Sequence, residues 1–157
     1  MQGPEGVNLP STSAYYSVPF SIVSENWSSY AFEDGNKLRG RVILVSLKSS
    51  QLPIRKGVVM NTETQVIIKA DVPPNRRGPP GHPALPEEVS DPLNHGGLEV
   101  SVIGSSEPWN EYAFDESGKI KLKFVLNKVW RLKDRYDSVG DPVYVTNFIV
   151  VNNSELT

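Results

Sequence analysis

From Lys37 to Val45 the chain alternates strictly between apolar and polar positions. Leu38, Val42 and Leu44 fall on one face with Gly40 between them, and Lys37, Arg39 and Arg41 open the other. Lys119 to Asn127 repeats the pattern, with Ile120, Leu122, Phe124 and Leu126 set against Lys119, Lys121 and Lys123. A period of two is the signature of a strand with one face turned to a core. Further along, Ile43, Val45 and Leu47, and Val125 and Val129, make the second face apolar as well, which predicts that each strand runs into a region covered on both sides. A short aromatic strand precedes each: Trp27 to Phe32 closed by Glu33-Asp34-Gly35-Asn36, and Trp109 to Phe114 closed by Asp115-Glu116-Ser117-Gly118. Gly and Asn tolerate the positive φ of tight hairpin turns, and the glycine shifts by one place between the two. Tyr16 to Val23 and Leu98 to Ile103 read as first strands, and Val143 to Val151 as a last one after a turn at Tyr136 to Pro142. No segment of useful length keeps a 3.6-residue period, so the pattern predicts an all-β chain with about four strands per unit.

The two halves share more than alternation. Residues 24–44, SENWSSYAFEDGNKLRGRVIL, align without a gap on residues 106–126, SEPWNEYAFDESGKIKLKFVL, at a spacing of 82, with 8 of 21 pairs identical. Unrelated segments of ordinary composition would share about one or two over this length. Convergent hairpins would explain the alternation and the turn but not the common Ser-Glu-x-Trp lead-in, so the chain reads as a duplication. Downstream, Thr64 to Lys69 falls against Asn147 to Asn152 with one extra residue in the second half. The expected organisation is a flexible segment over 1–17, a β unit over 18–70, a connector over 71–97, a second β unit over 98–153 and a tail over 154–157. Units of about 50 residues bury little surface alone. We therefore expect two tandem duplicated antiparallel units packed with pseudo-twofold symmetry, as a sandwich or as fused small barrels.

Composition sharpens this picture at three points. Seven of the 13 prolines and both histidines lie between Asp71 and Gly97. Proline lacks the ladder N–H and fixes φ, so this stretch is expected to be an extended arm of polyproline character. The chain has no Cys, which removes thiolate nucleophiles, disulfides and Cys-bearing metal sites. Its apolar runs are too short to span a bilayer and its first residues lack the pattern of a secretory signal, so the expectation is a soluble cytoplasmic protein without membrane contact.

The formal net charge of −2 exerts no global pull toward nucleic acid. The local arrangement differs, because Lys37, Arg39 and Arg41, and Lys119, Lys121 and Lys123, each place three cations on alternate residues, about 6.5–7 Å apart. Such a ladder can track phosphates while Trp27, Tyr30, Trp109 or Tyr112 stack bases. The competing reading is a solvated face whose cations answer Glu33, Asp34, Asp115 and Glu116, with the four aromatics as packing anchors. Asp134, Asp137 and Asp141 lie near a turn but lack the spacing of a calcium loop, and no metal is assigned. His82 and His95 sit in the arm, where no rigid shell is expected to hold them for acid–base work. Arg77 to Pro83 matches the basic-x-x-Pro-x-x-Pro pattern read by aromatic grooves, though a proline-dense segment matches it readily by chance. No nucleophile elbow, phosphate loop, dinucleotide fingerprint or zinc-protease motif is present.

These features favour a noncatalytic structural or protein-interaction module with no cofactor, acting through a protein partner or self-association. The runner-up is a nucleic-acid-binding protein using both basic ladders, and an enzyme with a carboxylate and tyrosine site between the units ranks third.

Overall fold

The computed structural model describes residues 15–116 and 118–156. The strands are β1 (Tyr16–Ser17), β2 (Phe20–Ser24), β3 (Ser28–Phe32), β4 (Lys37–Ser49), β5 (Met60–Asp71), β6 (Gly97–Glu99), β7 (Val102–Ser106), β8 (Asn110–Phe114), β9 (Gly118–Tyr136) and β10 (Pro142–Leu156). They form two antiparallel sheets of five strands each. In the first, β4 is the spine, with β5 along one edge and both β3 and β1 along the other. In the second, β9 is the spine, with β10 along one edge and both β8 and β6 along the other. Each half of the chain therefore supplies five strands rather than four. Of the flanking segments, residues 1–14 and 157 lie outside the described residues, while Ser154 to Leu156 belong to β10.

The fifth strand of each sheet comes from the other half of the chain. β2 pairs with β8 in the second sheet, and β7 pairs with β3 in the first. The stretches expected as single first strands thus change sheets midway. Ser17 is paired in one sheet and Phe20 in the other, with Val18 and Pro19 between; Glu99 and Val102 behave alike. Proline cannot donate to a ladder, so Pro19 sits where pairing on one sheet ends and pairing on the other begins.

The alternation read from the sequence holds up to one residue in each spine. Leu38, Val42 and Leu44 are buried, as are Ile120, Leu122 and Phe124. Val45 and Asn127, 82 residues apart, are then each skipped by the ladder: Leu44 faces Thr64 while Ser46 faces Glu63, and Leu126 faces Phe148 while Lys128 faces Asn147. A bulge adds one residue and reverses which face later side chains occupy. Val45 is left half exposed, whereas Leu47 and Val129 turn back into the core. The apolar run past Ile43 is therefore not covered on both sides; it is one buried face whose phase changes. The ladder also corrects the downstream alignment: Thr64 and Phe148 are counterparts, so the second half carries two extra residues rather than one.

The inward faces of the two sheets meet in one core that includes Tyr30, Phe32, Leu38 and Val42 from the first and Tyr112, Phe114, Leu122 and Phe124 from the second. The spines approach closely at Gly40, where a Cβ would stand 2.3 Å from the Phe124 ring. At the hairpins, Gly35 takes φ of 88° in one turn, but in the other it is Asp115 that adopts φ of 55°. Gly118 is instead required by packing, since its Cβ would lie 2.4 Å from the Phe114 ring.

The connector packs onto the turn joining β9 and β10. It includes the short helix α1 (Pro86–Ser90) and two 3₁₀ turns, at Pro74–Arg76 and Pro92–His95. The Gly78 N–H donates to the Gly140 carbonyl at 2.9 Å and the Gly81 N–H to the Asp137 carbonyl at 2.7 Å. Gly78 faces the Tyr136 ring and Gly81 its carbonyl, both too closely for a side chain. Among the described residues no helix is long and apolar enough to cross a membrane.

Gly40→Ala drives a methyl into the Phe124 ring and is expected to lower the unfolding free energy by about 1–3 kcal/mol, measured by equilibrium denaturation. Gly104→Ala, whose Cβ meets nothing nearer than the Ala31 Cβ at 3.9 Å, serves as the control. Its expected change is within about 0.5 kcal/mol.

Candidate functional site

The repeated Ser-Glu-x-Trp lead-in is the crossover between the sheets. Residues 25–27 carry the chain from β2 in one sheet to β3 in the other, and residues 107–109 carry it back from β7 to β8. At each crossover the glutamate accepts a hydrogen bond from a tyrosine of the opposite half. The Tyr112 hydroxyl donates to Glu25 Oε2 at 2.6 Å, and the Tyr30 hydroxyl donates to Glu107 Oε2 at 2.6 Å.

The same hydroxyls complete the ladders. On its β3/β1 edge, β4 pairs with β3 only as far as Gly40 and with β1 only from Lys48, leaving backbone groups between them without a strand. Buried backbone groups need partners, and side chains of β8 supply them. The Asn110 amide donates to the Val42 carbonyl at 2.7 Å, and the Leu44 N–H donates to the Tyr112 hydroxyl at 3.2 Å. In β9, the Ser28 hydroxyl donates to the Phe124 carbonyl at 2.8 Å, and the Leu126 N–H donates to the Tyr30 hydroxyl at 2.9 Å. Each contact has its counterpart 82 residues away. Each gap then ends alike, with the Val18 N–H on the Leu47 carbonyl at 2.8 Å and the Val100 N–H on the Val129 carbonyl at 2.9 Å. Burial and then the neighbouring Glu25 carboxylate push the Tyr112 phenol up to about 12, and burial with Glu107 raises Tyr30 likewise. Both stay protonated donors across the physiological range.

A third phenol lies nearer the β9–β10 end. Asn36 donates to the Tyr144 hydroxyl at 2.8 Å, and Tyr144 and Arg131 both reach Asp34 Oδ2, at 2.5 and 3.1 Å. Burial opposes the Asp34 charge, but hydrogen bonds from Tyr144, the Asn36 N–H and Arg131 outweigh it and hold the carboxyl below its ordinary value.

The six ladder cations lie on the outward faces of β4 and β9. Arg39 pairs with Asp71 at 2.7 Å, Arg41 with Glu25 at 2.9 Å, Lys119 with Glu111 at 3.5 Å and Lys121 with Glu155 at 3.7 Å. Lys37 is exposed and joins no ion pair among the described residues. The carboxylates that answer the ladders are therefore mainly those of neighbouring strands and the crossover, not the turn residues Glu33, Asp115 and Glu116; Asp34 pairs with Arg131 instead. Trp27 is half-buried beneath Arg39 and Arg41, whose guanidinium carbons stand 4.7 and 5.6 Å from its ring, and Lys123 lies 4.8 Å from Trp109. Tyr30 and Tyr112 are buried.

Other candidates from the sequence are dispersed. Asp137 accepts from the N–H groups of Val139 and Asp141, Asp141 pairs with Arg77 at 3.0 Å, and Asp134 takes φ of 56°. Among the described residues no group of three or more His, Asp or Glu is placed to hold a metal ion. His82 and His95 are exposed, each with Nδ1 near a carbonyl of its own segment. Arg77, the basic residue of the proline motif, is engaged by Asp141, and Arg135 donates to the carbonyls of His82 and Pro83.

The residues missed from sequence are Glu25, Glu107, Ser28 and Asn110 at the crossovers, and the Arg135–Glu88 pair that fastens α1 to β9. Both glutamates stood among the repeat identities, which was the available signal. No known protein family, curated protein or solved structure matches the chain.

Two outcomes follow for stability. Tyr112→Phe leaves the Leu44 N–H and Glu25 without their partner and is expected to cost about 1–3 kcal/mol in denaturant unfolding, with Tyr30→Phe in the same range. The Arg135 hydrogen bonds, with the Leu85 N–H, pull the buried Glu88 carboxyl from 4.5 to about 2. A depressed carboxyl stabilises the fold fully above its unfolded value and loses that contribution as pH falls toward the folded one. Thermal unfolding is therefore expected to show stability declining from pH 4.5 toward 2, with a flatter decline in Glu88→Gln.

Proposed function

We propose that the chain is a noncatalytic protein-interaction module: two duplicated β units, related by pseudo-twofold symmetry, that form a sandwich by exchanging their second strands. The reading is supported most by the reciprocal crossover. The tyrosines that an enzyme between the units would need are buried, the carboxylates half-buried, and both are committed to one another and to the ladders. A phenol raised by burial stays protonated and takes up no proton near neutral pH, and its hydroxyl at the crossover is already both donor and acceptor. What remains outward is a pair of rigid sheet faces and their edges. β2 and β7 each have one free edge, and on both the exposed apolar residues Val23 and Ile103 lie at bulges. Bulged edges resist indiscriminate strand addition, which leaves the faces and the outer edges of β5 and β10 as the contact surfaces of this module.

The second reading, nucleic-acid binding along both ladders, has less behind it. Five of the six ladder cations are engaged by a carboxylate or an indole, and the exposed side of Trp27 is covered by guanidinium groups.

Affinity purification of the intact chain from native extract, with and without nuclease, separates the two. The module reading expects stoichiometric protein partners that survive nuclease and withstand about 0.3 M salt, a range in which phosphate-dominated binding falls by orders of magnitude. Co-purification of nucleic acid alone, with all bound material released by nuclease, would overturn it.

A further inference from the structure

The outward faces of the two sheets can be compared position by position, because their strands pair in the same way. On the first sheet, one row across the strands reads Asp71, Lys37, Ala31, Gly104 and the next reads Lys69, Arg39, Ser29, Ser106. On the second, the rows read Glu155, Lys119, Ala113, Ser21 and Asn153, Lys121, Glu111, Ser24. The backbone frame is shared and the charge differs at two places. Ser29 stands where the second sheet has Glu111, and Lys69 where it has Asn153.

The consequences are electrostatic and steric. The second face carries two cations and two carboxylates, with Lys119 answered by Glu111 and Lys121 by Glu155. The first carries three cations and one carboxylate. Asp71 is shared by Arg39 at 2.7 Å and Lys69 at 3.8 Å, while Lys37 joins no ion pair among the described residues. The small side chains of Ser29, Ala31, Gly104 and Ser106 leave a groove of about 330 Å³ beside Lys37 and Arg39. It is an open trough with hydroxyls on its floor and with Lys37, Arg39 and the Asp71 carboxylate on its wall, which leaves a surplus of positive charge.

Resting on the interaction-module reading, we propose that this trough is the partner-binding site, and that it takes the carboxylates of an extended acidic segment of another protein. Alternate side chains of an extended segment repeat at about 6.5–7 Å, the same spacing that separates Lys37 from Arg39. The serine hydroxyls supply further donors to carboxylate oxygens. Nucleic acid fits less well, because the cationic footprint is confined to one face and the adjoining Trp27 ring lies under Arg39 and Arg41.

The test is fluorescence anisotropy on the intact chain at low salt, with labelled hexaglutamate, hexaglutamine and oligothymidylate as probes. Saturable binding is expected for hexaglutamate and not for hexaglutamine. Ser29→Glu, which installs the residue of the second face, is expected to weaken it about tenfold or more, and Lys37→Ala about threefold. Lys119→Ala on the second face is expected to leave it within about twofold. Near-UV circular dichroism establishes that each variant is folded, and Lys37→Ala carries the test should Ser29→Glu not fold. Absence of hexaglutamate binding, equal losses in Lys37→Ala and Lys119→Ala, or tighter binding of oligothymidylate through Lys37 would overturn the assignment. Partners that survive nuclease and still bind Lys37→Ala and Ser29→Glu would overturn the trough while leaving the module reading in place.

Discussion

The structure depends on how β4 and β9 satisfy the backbone groups that no neighbouring strand reaches. Each spine is longer than the strands along its inner edge, so a gap opens between β3 and β1 in one sheet and between β8 and β6 in the other. Water cannot fill these gaps, because they lie against the shared core. Tyr112 and Asn110 close one, and Tyr30 and Ser28 close the other. Hydrogen bonding of this kind is directional, so it fixes the placement of one sheet on the other where apolar contact alone would allow sliding. The crossover glutamates hold the phenols from their far side, tying the peptide that changes sheets to the side chain that completes the ladder.

This arrangement also accounts for the outward faces. Arg41 reaches Glu25 at the crossover and so carries the buried network to the surface, where its guanidinium covers Trp27. The ladder cations serve partly as the lid of the network. Only in the row of Lys69 and Arg39, where Ser29 replaces an acidic residue, does the first face keep charge that nothing in its own row balances; Asp71 is drawn to that row and Lys37 is left without an ion pair among the described residues. The connector has a comparable division. Gly78 and Gly81 face the β9–β10 turn at positions where no Cβ fits, while Arg135 caps carbonyls of the following residues.

The alternation of Lys37 to Val45 and Lys119 to Asn127 was enough to place both spines and the faces that meet in the core. The common lead-in marked where the halves correspond. The phase reversal at Val45 and Asn127 was not legible, since an apolar residue on either face fits a buried strand until the partner's register is known. The division of Tyr16 to Val23 between two sheets had one visible signal, Pro19, whose meaning depended on a strand from the other half. The partners of the cations escaped for a similar reason. Asp71 and Glu155 lie at the distant ends of neighbouring strands, and their approach to Arg39 and Lys121 is set by the ladder rather than by nearness in the chain. What the sequence hid was almost entirely the register of strand pairing, within each half as well as between them.

The exchange of β2 and β7 sets the order in which the molecule can be completed. During synthesis β3 has β4 beside it early, but its other edge stays open until residues 102–106 have emerged, and β2 waits still longer for β8. Closing loops of this length before any reward is slow. The nascent first half thus carries an unpaired strand edge and a ladder gap with no phenol to fill it. The proline-rich connector is made during this interval, and its low propensity to join a sheet keeps it from occupying the edge reserved for β7.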